Sequence, residues 1–376
     1  MTQWTATSYG ALELRGEPGF LEGTDLVVTP TTPHMPVALN GDPAALWRRL
    51  VEGLDDQALT TDEFALLLEF QAHGIAGTTP QPHAVNSLDR PWFVSPLHEL
   101  VYAIIARVGA EAGIDLVFIK GPMQHKQGLR SREHSGDVDV WVRPADQHRL
   151  AEAMYPWGWK PIHGLLSGTA NASHSQTLWP VSWGCAIDVH TRFPGMNIEP
   201  DEAFETLRTE SETWSFAGID ALVPSKAVNA LLRALHDVRP IQPDTEESLS
   251  HDAARSLKNG GDEVLLIASR FKAVGVLQNA LREAFPDAQF DQEDLRIPDE
   301  WQRLSSQNSL ERLQLSMRGM SLFARLRVLR RLLWPDADTM FGISESRNYP
   351  ARNRLHARLY WWRDGLREAL PAKRKN

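Results

Sequence analysis

The sequence predicts an α/β core with a mixed sheet and flanking helices, a mainly helical C-terminal region and a small α+β N-terminal domain. Three observations support this fold class. Apolar strand-like runs alternate with helical spacing between residues 96 and 224, which is typical of an α/β core. Helical spacing dominates residues 225–376. Short strand-like runs precede two helices in residues 1–80, and residues 81–95 continue a Pro-, Thr- and Ser-rich stretch that predicts a linker.

The first 80 residues carry local signals for both strands and helices. Three short apolar runs predict strands at residues 12–14, 25–29 and 37–39. Asn40 or Asp42 can cap a first helix, because short polar side chains accept the unpaired N–H groups of a helix start. Thr60 and Glu63 have the spacing of a capping box, so a second helix is expected to start there and continue through Phe70.

The core and the C-terminal region are ordered along the chain as follows. We expect a helix at 96–113, a strand at 116–119, a short helix near 123–128, a strand around 137–142, a helix at 145–155, a turn-rich segment at 164–173, a strand near 185–190 and a strand pair at 213–223 with its turn at 218–220. Helices are then expected at 226–238, 246–258, 262–273, 277–284, 318–333 and 353–370.

Composition excludes several classes of protein. The chain has 376 residues, which is long enough for two or three folded units, and 42% of them are hydrophobic. The formal net charge of -9 argues against strong binding to bulk nucleic acid, which requires a basic face. The single cysteine, Cys185, allows no intrachain disulfide and lies in an apolar run where packing is favoured over reactivity. No signal peptide or apolar run of ~18 residues is evident, so we expect a cytoplasmic protein without a membrane partner.

The most informative segment is residues 116–142, where a short apolar run ends at Lys120-Gly121 and a second run carries Asp137 and Asp139. Residues two apart on a strand point to the same face, so these two carboxylates project together. Neighbouring carboxylates repel each other, and a bound cation offsets that repulsion. Asp188 lies in a third apolar run and is a further candidate ligand. The alternatives are solvated acids on an edge strand and, for Asp188, a hydrogen bond in the core.

This order of motifs resembles the polymerase-beta-like nucleotidyltransferases. It is most similar to an uncharacterised bacterial family with an apolar-Lys-Gly turn, an arginine, and a D-[IV]-D strand. The resemblance covers about residues 95–365 and includes the run at 222–225 and the segment RRLLWP at 330–335. It implies a transferase that moves a nucleoside monophosphate from a nucleoside triphosphate to an acceptor. It also implies dependence on Mg²⁺, with Mn²⁺ as an alternative, and ATP is the default nucleotide.

The resemblance implies roles for the three acids. Asp137 and Asp139 would hold one cation with the triphosphate, and a second cation would be shared among these two and Asp188. Magnesium prefers oxygen ligands, which the three carboxylates supply. His190 lies two residues after Asp188 and could act near the acceptor or be a core histidine. The histidine spacing matches no structural zinc pattern.

Other residues of the segment are candidates for binding the nucleotide. Gly121 would let backbone N–H groups approach the phosphates, since glycine has no side chain. Lys120 would neutralise phosphate charge, or be a surface lysine at a strand end. Arg132 corresponds to the family arginine, with Arg130 as a competitor, because a guanidinium pairs with phosphate through two hydrogen bonds. Ser135 could offer its hydroxyl to a phosphate.

The N-terminal domain has a resemblance of its own. The run VALNGDPAALW at 37–47 resembles the start of leader-peptide-binding winged-helix domains, whose middle helix is here reduced to residues 54–57. This implies a winged-helix-like accessory domain that binds a leader peptide, with a ribosomally made peptide as the acceptor. A small molecule is the other acceptor considered, and the net charge disfavours RNA. The competing function is a catalytically inactive nucleotidyltransferase fold that binds nucleotide or acts as a scaffold.

Overall fold

A computed structural model of the chain describes residues 2–17, 23–79, 84–162, 174–240, 246–306, 309–318, 320–335 and 353–369. The chain divides into two compact units. The first comprises Met1–Lys160, Leu178–Thr191 and Pro200–Asn229, and the second comprises Pro161–Thr177, Arg192–Glu199 and Ala230–Asn376. The turn-rich segment expected at 164–173 lies outside the described residues.

The strands are short and lie in the first unit, except for Pro161 and residues 175–177. They are β1 (Gln3–Ala6), β2 (Ala11–Glu13), β3 (Leu26–Val28), β4 (Val37–Leu39), β5 (Leu54–Asp55), β6 (Ala76–Gly77), β7 (Leu116–Ile119), β8 (Asp137–Val142), β9 (Trp159–Pro161), β10 (Ser175–Pro180), β11 (Ala186–His190), β12 (Ser211–Phe216) and β13 (Ile219–Pro224).

The helices follow the expected order, with shifted ends. They are α1 (Gly41–Glu52), α2 (Thr61–Ala72), α3 (Pro96–Glu111), α4 (Gly121–Lys126), α5 (Gln147–Met154), α6 (Pro200–Thr209), α7 (Lys226–Asp237), α8 (Glu246–Gly260), α9 (Glu263–Arg270), α10 (Val274–Ala284), α11 (Asp299–Ser305), α12 (Ser309–Met317), α13 (Leu322–Leu333) and α14 (Arg354–Ala369). Within the described ranges, no helix combines the length and apolarity needed to cross a bilayer.

The central sheet is mixed, as the sequence predicts. Its order is β12-β13-β7-β8-β11-β10-β9. β7 and β8 are antiparallel, whereas β8 and β11 are parallel, which places Asp188 beside Asp139. All four residues of β7 are buried, because helices cover this part of the sheet and both of its faces are apolar. The two carboxylates are thereby held by rigid, buried strands.

The N-terminal segment forms two small antiparallel sheets. The predicted strands β2, β3 and β4 are confirmed as one three-stranded sheet, and β5-β1-β6 form a second. The predicted capping box of α2 is also confirmed, because Thr60 and Glu63 each accept the other's backbone N–H. Residues 54–58 form the strand β5 and a single 3₁₀ turn where the resembling domains have a helix. The winged-helix assignment stays a prediction.

The N-terminal segment shares a core with the central sheet. Tyr9 and Leu12 belong to the same buried cluster as Leu100 on α3 and Phe216 on β12. The rings of Tyr9 and Trp157 have centroids 5.6 Å apart. A few apolar residues of this segment are therefore buried against the sheet and α3, whereas most of its buried apolar side chains, among them Trp47 and Phe70, form a separate cluster.

Two boundaries differ from the sequence prediction, and several elements were not predicted. The turn of the β12–β13 hairpin is at Ala217-Gly218, where both residues have positive φ, rather than at 218–220. The helix expected from 318 starts at 322, because Ser321 adopts an extended backbone and its hydroxyl accepts the N–H of Ala324. The elements that were not predicted are the helices α6, α11 and α12 and the strands β1, β5, β6, β9 and β10.

The second unit is mainly helical. Helix α10 packs on α8, and α11 packs on α12. Arg192 and Glu300 form a paired ion bridge, with Nη1–Oε2 and Nη2–Oε1 distances of 2.8 and 2.9 Å. Both side chains are mostly buried, so the two parallel hydrogen bonds satisfy charges that burial would otherwise penalise.

Candidate functional site

The strand β7 ends in a tight turn at Lys120-Gly121, which leads into α4. Both residues have positive φ, 59° and 56°, a conformation that disfavours a residue with a side chain. A Cβ atom on Gly121 would lie 2.8 Å from the hydroxyl of Tyr102, so the side-chain position is also sterically closed. Only glycine fits at position 121, and Lys120 stores backbone strain at the candidate site.

Asn229, at the start of α7, holds this turn in place. Its Oδ1 atom accepts the backbone N–H of Lys120 at 3.4 Å, and its Nδ2 atom donates to Oε1 of Gln127 at 2.8 Å. Gln124 of α4 donates to the carbonyl of Asn229 at 3.2 Å. Asn229 is fully buried, so its amide joins the turn, α4 and α7 in one polar network. No local sequence pattern predicts a role for Asn229 at this turn.

Asp139 is the buried centre of the candidate site. Its Oδ1 atom lies 2.7 Å from Nζ of Lys120 and 2.7 Å from Nε2 of His190. Burial alone raises the pKa of this carboxyl, but the hydrogen bonds from His190 and Lys120 outweigh burial and hold the pKa well below its usual range. Asp139 is therefore ionised at neutral pH. Lys120, predicted to bind phosphate, is paired with this carboxylate.

Asp137 has a different environment. It is half-buried at the start of β8, and the Ser135 hydroxyl donates to its Oδ1 atom at 2.9 Å. Burial, followed by the negative charge of Asp139, raises the pKa of Asp137 above its usual value. Ser135, predicted to meet a phosphate, thus contacts a carboxylate in this structure. The surroundings therefore raise the pKa of Asp137 and lower the pKa of Asp139.

Three side chains are close enough to hold a metal ion together. Asp139, Asp188 and His190 each offer one ligand atom, and these atoms lie within 4.8 Å of one another. Asp139 and His190 are buried, whereas Asp188 is half-buried. Two carboxylate oxygens and one imidazole nitrogen suit a divalent cation. The sequence predicts Asp137 as a ligand and leaves His190 as either a residue near the acceptor or a core histidine.

Two side chains of α3 line the buried side of this region. Burial lowers the pKa of His98 to about 4, although a hydrogen bond with the backbone of Asp137 opposes that shift. Tyr102 is completely buried, and burial with the charge of Asp139 raises its pKa well above the usual value. The Tyr102 hydroxyl has no hydrogen-bond partner among the described residues. Both groups are neutral at neutral pH, so neither adds charge beside the carboxylates.

The predicted phosphate-binding arginines lie on the segment between α4 and β8. Arg132 is exposed, whereas Arg130 is half-buried and donates from Nη2 to the carbonyl of His134 at 2.6 Å. Glu133 accepts the backbone N–H of Val94 at 2.9 Å, which ties this segment to the residues before α3. Arg130 therefore braces its own loop, and Arg132 is the arginine that extends towards solvent.

Glu99 is a buried carboxylate that the sequence analysis missed. It is 1% exposed and accepts backbone N–H groups from Trp92 at 2.6 Å, Phe93 at 2.9 Å and Ala217 at 3.0 Å. Burial raises the pKa of Glu99, and the three hydrogen bonds only partly offset this effect. The residue joins α3 to the preceding segment and to the β12–β13 turn. Its partners are distant in sequence, so no local pattern reveals them.

Cys185 immediately precedes β11. It is half-buried and packs against the main apolar cluster, as the sequence predicted. Burial, followed by the charge of Asp137, raises the pKa of its thiol to about 12. The thiol therefore stays protonated at neutral pH and is a poor nucleophile.

Comparison with known proteins gives little beyond this geometry. No family model matches the chain, and no curated protein matches it. Among solved structures, the chain is similar to an antigenic nucleotidyltransferase-like protein from Paracoccidioides brasiliensis. The identity is 14%, the match covers 51% of this chain and 90% of that one, and the TM-score is 0.34. The functional argument therefore depends on the residues of the site.

Proposed function

We propose that this chain is a nucleotidyltransferase that depends on divalent cations. It would move a nucleoside monophosphate from a nucleoside triphosphate to a hydroxyl, or a similar group, of an acceptor. The observation that carries the proposal is the pairing of Asp139 with Asp188 on adjacent parallel strands, next to the strained Lys120-Gly121 turn. A pair of neighbouring carboxylates beside a glycine turn suits a triphosphate and its cations.

Asp137, Asp139 and Asp188 have different roles in the proposed reaction. We assign Mg²⁺ with the triphosphate to Asp137 and Asp139, and a second cation to the group that includes Asp188. When bound, such ions screen the phosphate charge and lower the pKa of the acceptor hydroxyl. Asp188 accepts the hydroxyl proton. The acceptor oxygen then bonds to the α-phosphorus, the bond from that phosphorus to the β-phosphate oxygen breaks, and pyrophosphate leaves.

The nucleotide is bound by the turn and its surroundings. The backbone N–H groups at Gly121 approach the phosphates without a side chain in the way. Lys120, whose Nζ atom lies beside Asp139, would neutralise phosphate charge. Arg132 is the guanidinium that we assign to the phosphates, since Arg130 bonds to its own loop. Ser135 lies beside Asp137 and can exchange its hydrogen bond for a phosphate oxygen. ATP is the default nucleotide.

A ribosomally made peptide is the acceptor that the N-terminal domain favours. β4 is the outer strand of the sheet β2-β3-β4, and an extended peptide can add to such an edge through main-chain hydrogen bonds. Ala38 of β4 is exposed, so Ala38→Lys would change this edge without touching the core. Under this proposal, the variant raises the KM for the peptide acceptor and leaves triphosphate binding unchanged. An unchanged KM would favour a small-molecule acceptor.

The experiment that tests the proposal measures pyrophosphate release. The protein is incubated with Mg²⁺ or Mn²⁺, each triphosphate and a panel of acceptors, and products are identified by mass spectrometry. Asp139→Asn and Asp188→Asn should each abolish release. The matched control is Asp220→Asn, an exposed acid on β13 of the same sheet. Release that continues at the wild-type rate in the first two variants contradicts the proposal.

One observation favours the competing function, a catalytically inactive nucleotide-binding or scaffold protein. Oδ1 of Asp139 already accepts hydrogen bonds from Lys120 and His190, so its charge is partly neutralised without a cation. Calorimetry with each triphosphate and Mg²⁺ separates the two functions. Binding without pyrophosphate release, over the full acceptor panel, would establish the inactive protein.

A further inference from the structure

We propose that His190 completes the second cation position with Asp139 and Asp188, and that this position takes a transition-metal ion of the Mn²⁺, Co²⁺ or Zn²⁺ class. This inference rests on the proposed function, which requires two cation positions at the sheet. In this arrangement Asp137 and Asp139 offer oxygen ligands to Mg²⁺, and His190 makes the second position chemically different. Asp139 belongs to both positions.

The strands fix these three side chains on one surface. Asp188 lies beside Asp139 in the parallel register of β8 and β11. His190 follows Asp188 by two residues, so it projects from the same face of β11. The ligand atoms of all three residues lie within 4.8 Å of one another. All three ligands therefore lie on two adjacent strands of the central sheet, β8 and β11, and none of them lies on a loop.

The donor atoms decide which ions fit. Mg²⁺ takes oxygen ligands and gives up its water molecules reluctantly. An imidazole nitrogen suits later first-row ions, whose affinity for mixed nitrogen and oxygen ligands rises across the series. A site with two carboxylates and one imidazole thus gains selectivity over Mg²⁺ from His190 alone. Replacing the imidazole by a carboxylate removes the nitrogen ligand and should reduce that selectivity.

Burial distinguishes His190 from a surface histidine that faces acids by chance. His190 is 2% exposed and Asp139 is 5% exposed. The His190 Nε2 atom lies 2.7 Å from Oδ1 of Asp139, so it points at the carboxylate pair rather than away from it. Asp188 is half-buried, which leaves one side of the group accessible to an entering ion and its water molecules.

Lys120 provides the counter-charge before an ion binds. Its Nζ atom is 2.7 Å from the Asp139 oxygen that also faces His190. A divalent ion bound by Asp139 supplies more positive charge than the ammonium group, which is then repelled. Ion binding at this site therefore releases Lys120 towards the position proposed for the triphosphate.

The test uses the full-length protein with Mn²⁺ and without nucleotide. Pulsed electron paramagnetic resonance of the bound Mn²⁺ should show coupling to a ¹⁴N nucleus. Calorimetry should show tighter binding of Mn²⁺ than of Mg²⁺. His190→Gln should abolish the nitrogen coupling and weaken Mn²⁺ binding by about tenfold or more. His190→Asp should restore binding with a smaller preference for Mn²⁺ over Mg²⁺. The control, His148→Gln, changes an exposed histidine on α5 and should leave both measurements unchanged.

The outcomes separate this inference from the proposed function. Bound Mn²⁺ without nitrogen coupling in the wild-type protein overturns the inference, and so does the absence of Mn²⁺ binding at millimolar concentration. Neither result requires any variant to fold. Triphosphate turnover together with either result leaves the proposed function standing. Nitrogen coupling without turnover under any condition supports the metal site and contradicts the proposed enzyme activity.

Discussion

Asp188 stands directly beside Asp139 in the parallel register of β11 and β8, yet the two carboxylates have unlike surroundings. Asp139 is buried and accepts hydrogen bonds from Lys120 and His190, whereas Asp188 is half-buried. Asp139 is thus held in place as an ionised carboxylate, and Asp188 is partly accessible to solvent. This asymmetry gives the two residues separable contributions to stability and to chemistry.

The acids at 137 and 139 should differ in how much their neutralisation destabilises the protein. Asp139→Asn should lower the free energy of unfolding by about 1–3 kcal/mol, because Lys120 and His190 lose a charged acceptor. Asp137→Asn should change it by no more than about 1 kcal/mol, because burial and Asp139 already disfavour the ionised form and an amide still accepts from Ser135. Urea unfolding at pH 7 measures both. Equal losses in the two variants would contradict this assignment.

The contribution of Asp139 should also depend on pH. Its pKa is lower in the folded chain than in the unfolded chain, where a carboxyl of this kind titrates near pH 3.9. The stabilisation is therefore complete above that pH and is lost as the pH falls through the folded value. Unfolding free energies of the wild type and Asp139→Asn should converge as the pH drops below about 4. A constant difference down to pH 3 would show that the charge of Asp139 is not responsible.

His98 should make the protein less stable in mild acid. Its pKa is about 4 in the folded chain and about 6.5 when unfolded, so between these values the unfolded chain binds the extra proton. Stability is complete above pH 6.5 and falls by about 3 kcal/mol as the pH approaches 4. His98→Gln should flatten the plot of unfolding free energy against pH in this window. His148→Gln, at an exposed position, should leave the slope unchanged.

The turn at Gly121 allows a test of steric closure. Gly121→Ala should lower the unfolding free energy by about 2 kcal/mol or more, because its Cβ would meet the Tyr102 hydroxyl as well as the unfavourable φ. Gly128→Ala has a positive φ but no atom within 4 Å, so it should cost about 1 kcal/mol. In a Tyr102→Phe background the two costs should become similar. If Gly121→Ala still costs more than Gly128→Ala in that background, the Tyr102 hydroxyl is not the group that the new Cβ meets.

Glu99 should be essential for stability although it lies outside the candidate site. Glu99→Ala leaves three backbone N–H groups without their acceptor, and it should lower the unfolding free energy by about 3 kcal/mol. Glu111→Ala changes an exposed glutamate at the end of the same helix and should stay within about 0.5 kcal/mol of wild type. Thermal unfolding of both variants provides the comparison, and similar melting temperatures would refute the role of Glu99.

Local patterns in the sequence were sufficient for many of the elements but not for their contacts. Alternating valines predicted β8 with its two acids on one face, and the spacing of Thr60 and Glu63 predicted the start of α2. These features depend on residues close together in the chain. The α/β core also followed from the order of strands and helices, because strands separated by helices favour α/β packing.

The composition of the site depended on contacts that sequence spacing does not encode. Strand register brings Lys120 next to Asp139. It also makes His190, rather than Asp137, the third member of the candidate metal group. Asn229 reaches Lys120 across 109 positions of sequence. A single sequence without the sheet order cannot rank such partners, and only the predicted glycine turn was specific enough to locate the region.

The hydrogen bonds of Glu99 have a consequence for sequence variation among relatives of this chain. Its three partners are main-chain N–H groups, which every amino acid except proline provides. The hydrogen bonds to Glu99 therefore place no demand on the side chains at positions 92, 93 and 217; packing in the core is a separate constraint on Phe93 and Ala217. The hydrogen-bonding requirement falls on one carboxylate and on the exclusion of proline at three positions. An alignment of relatives should show an unvarying glutamate and no proline at these three positions.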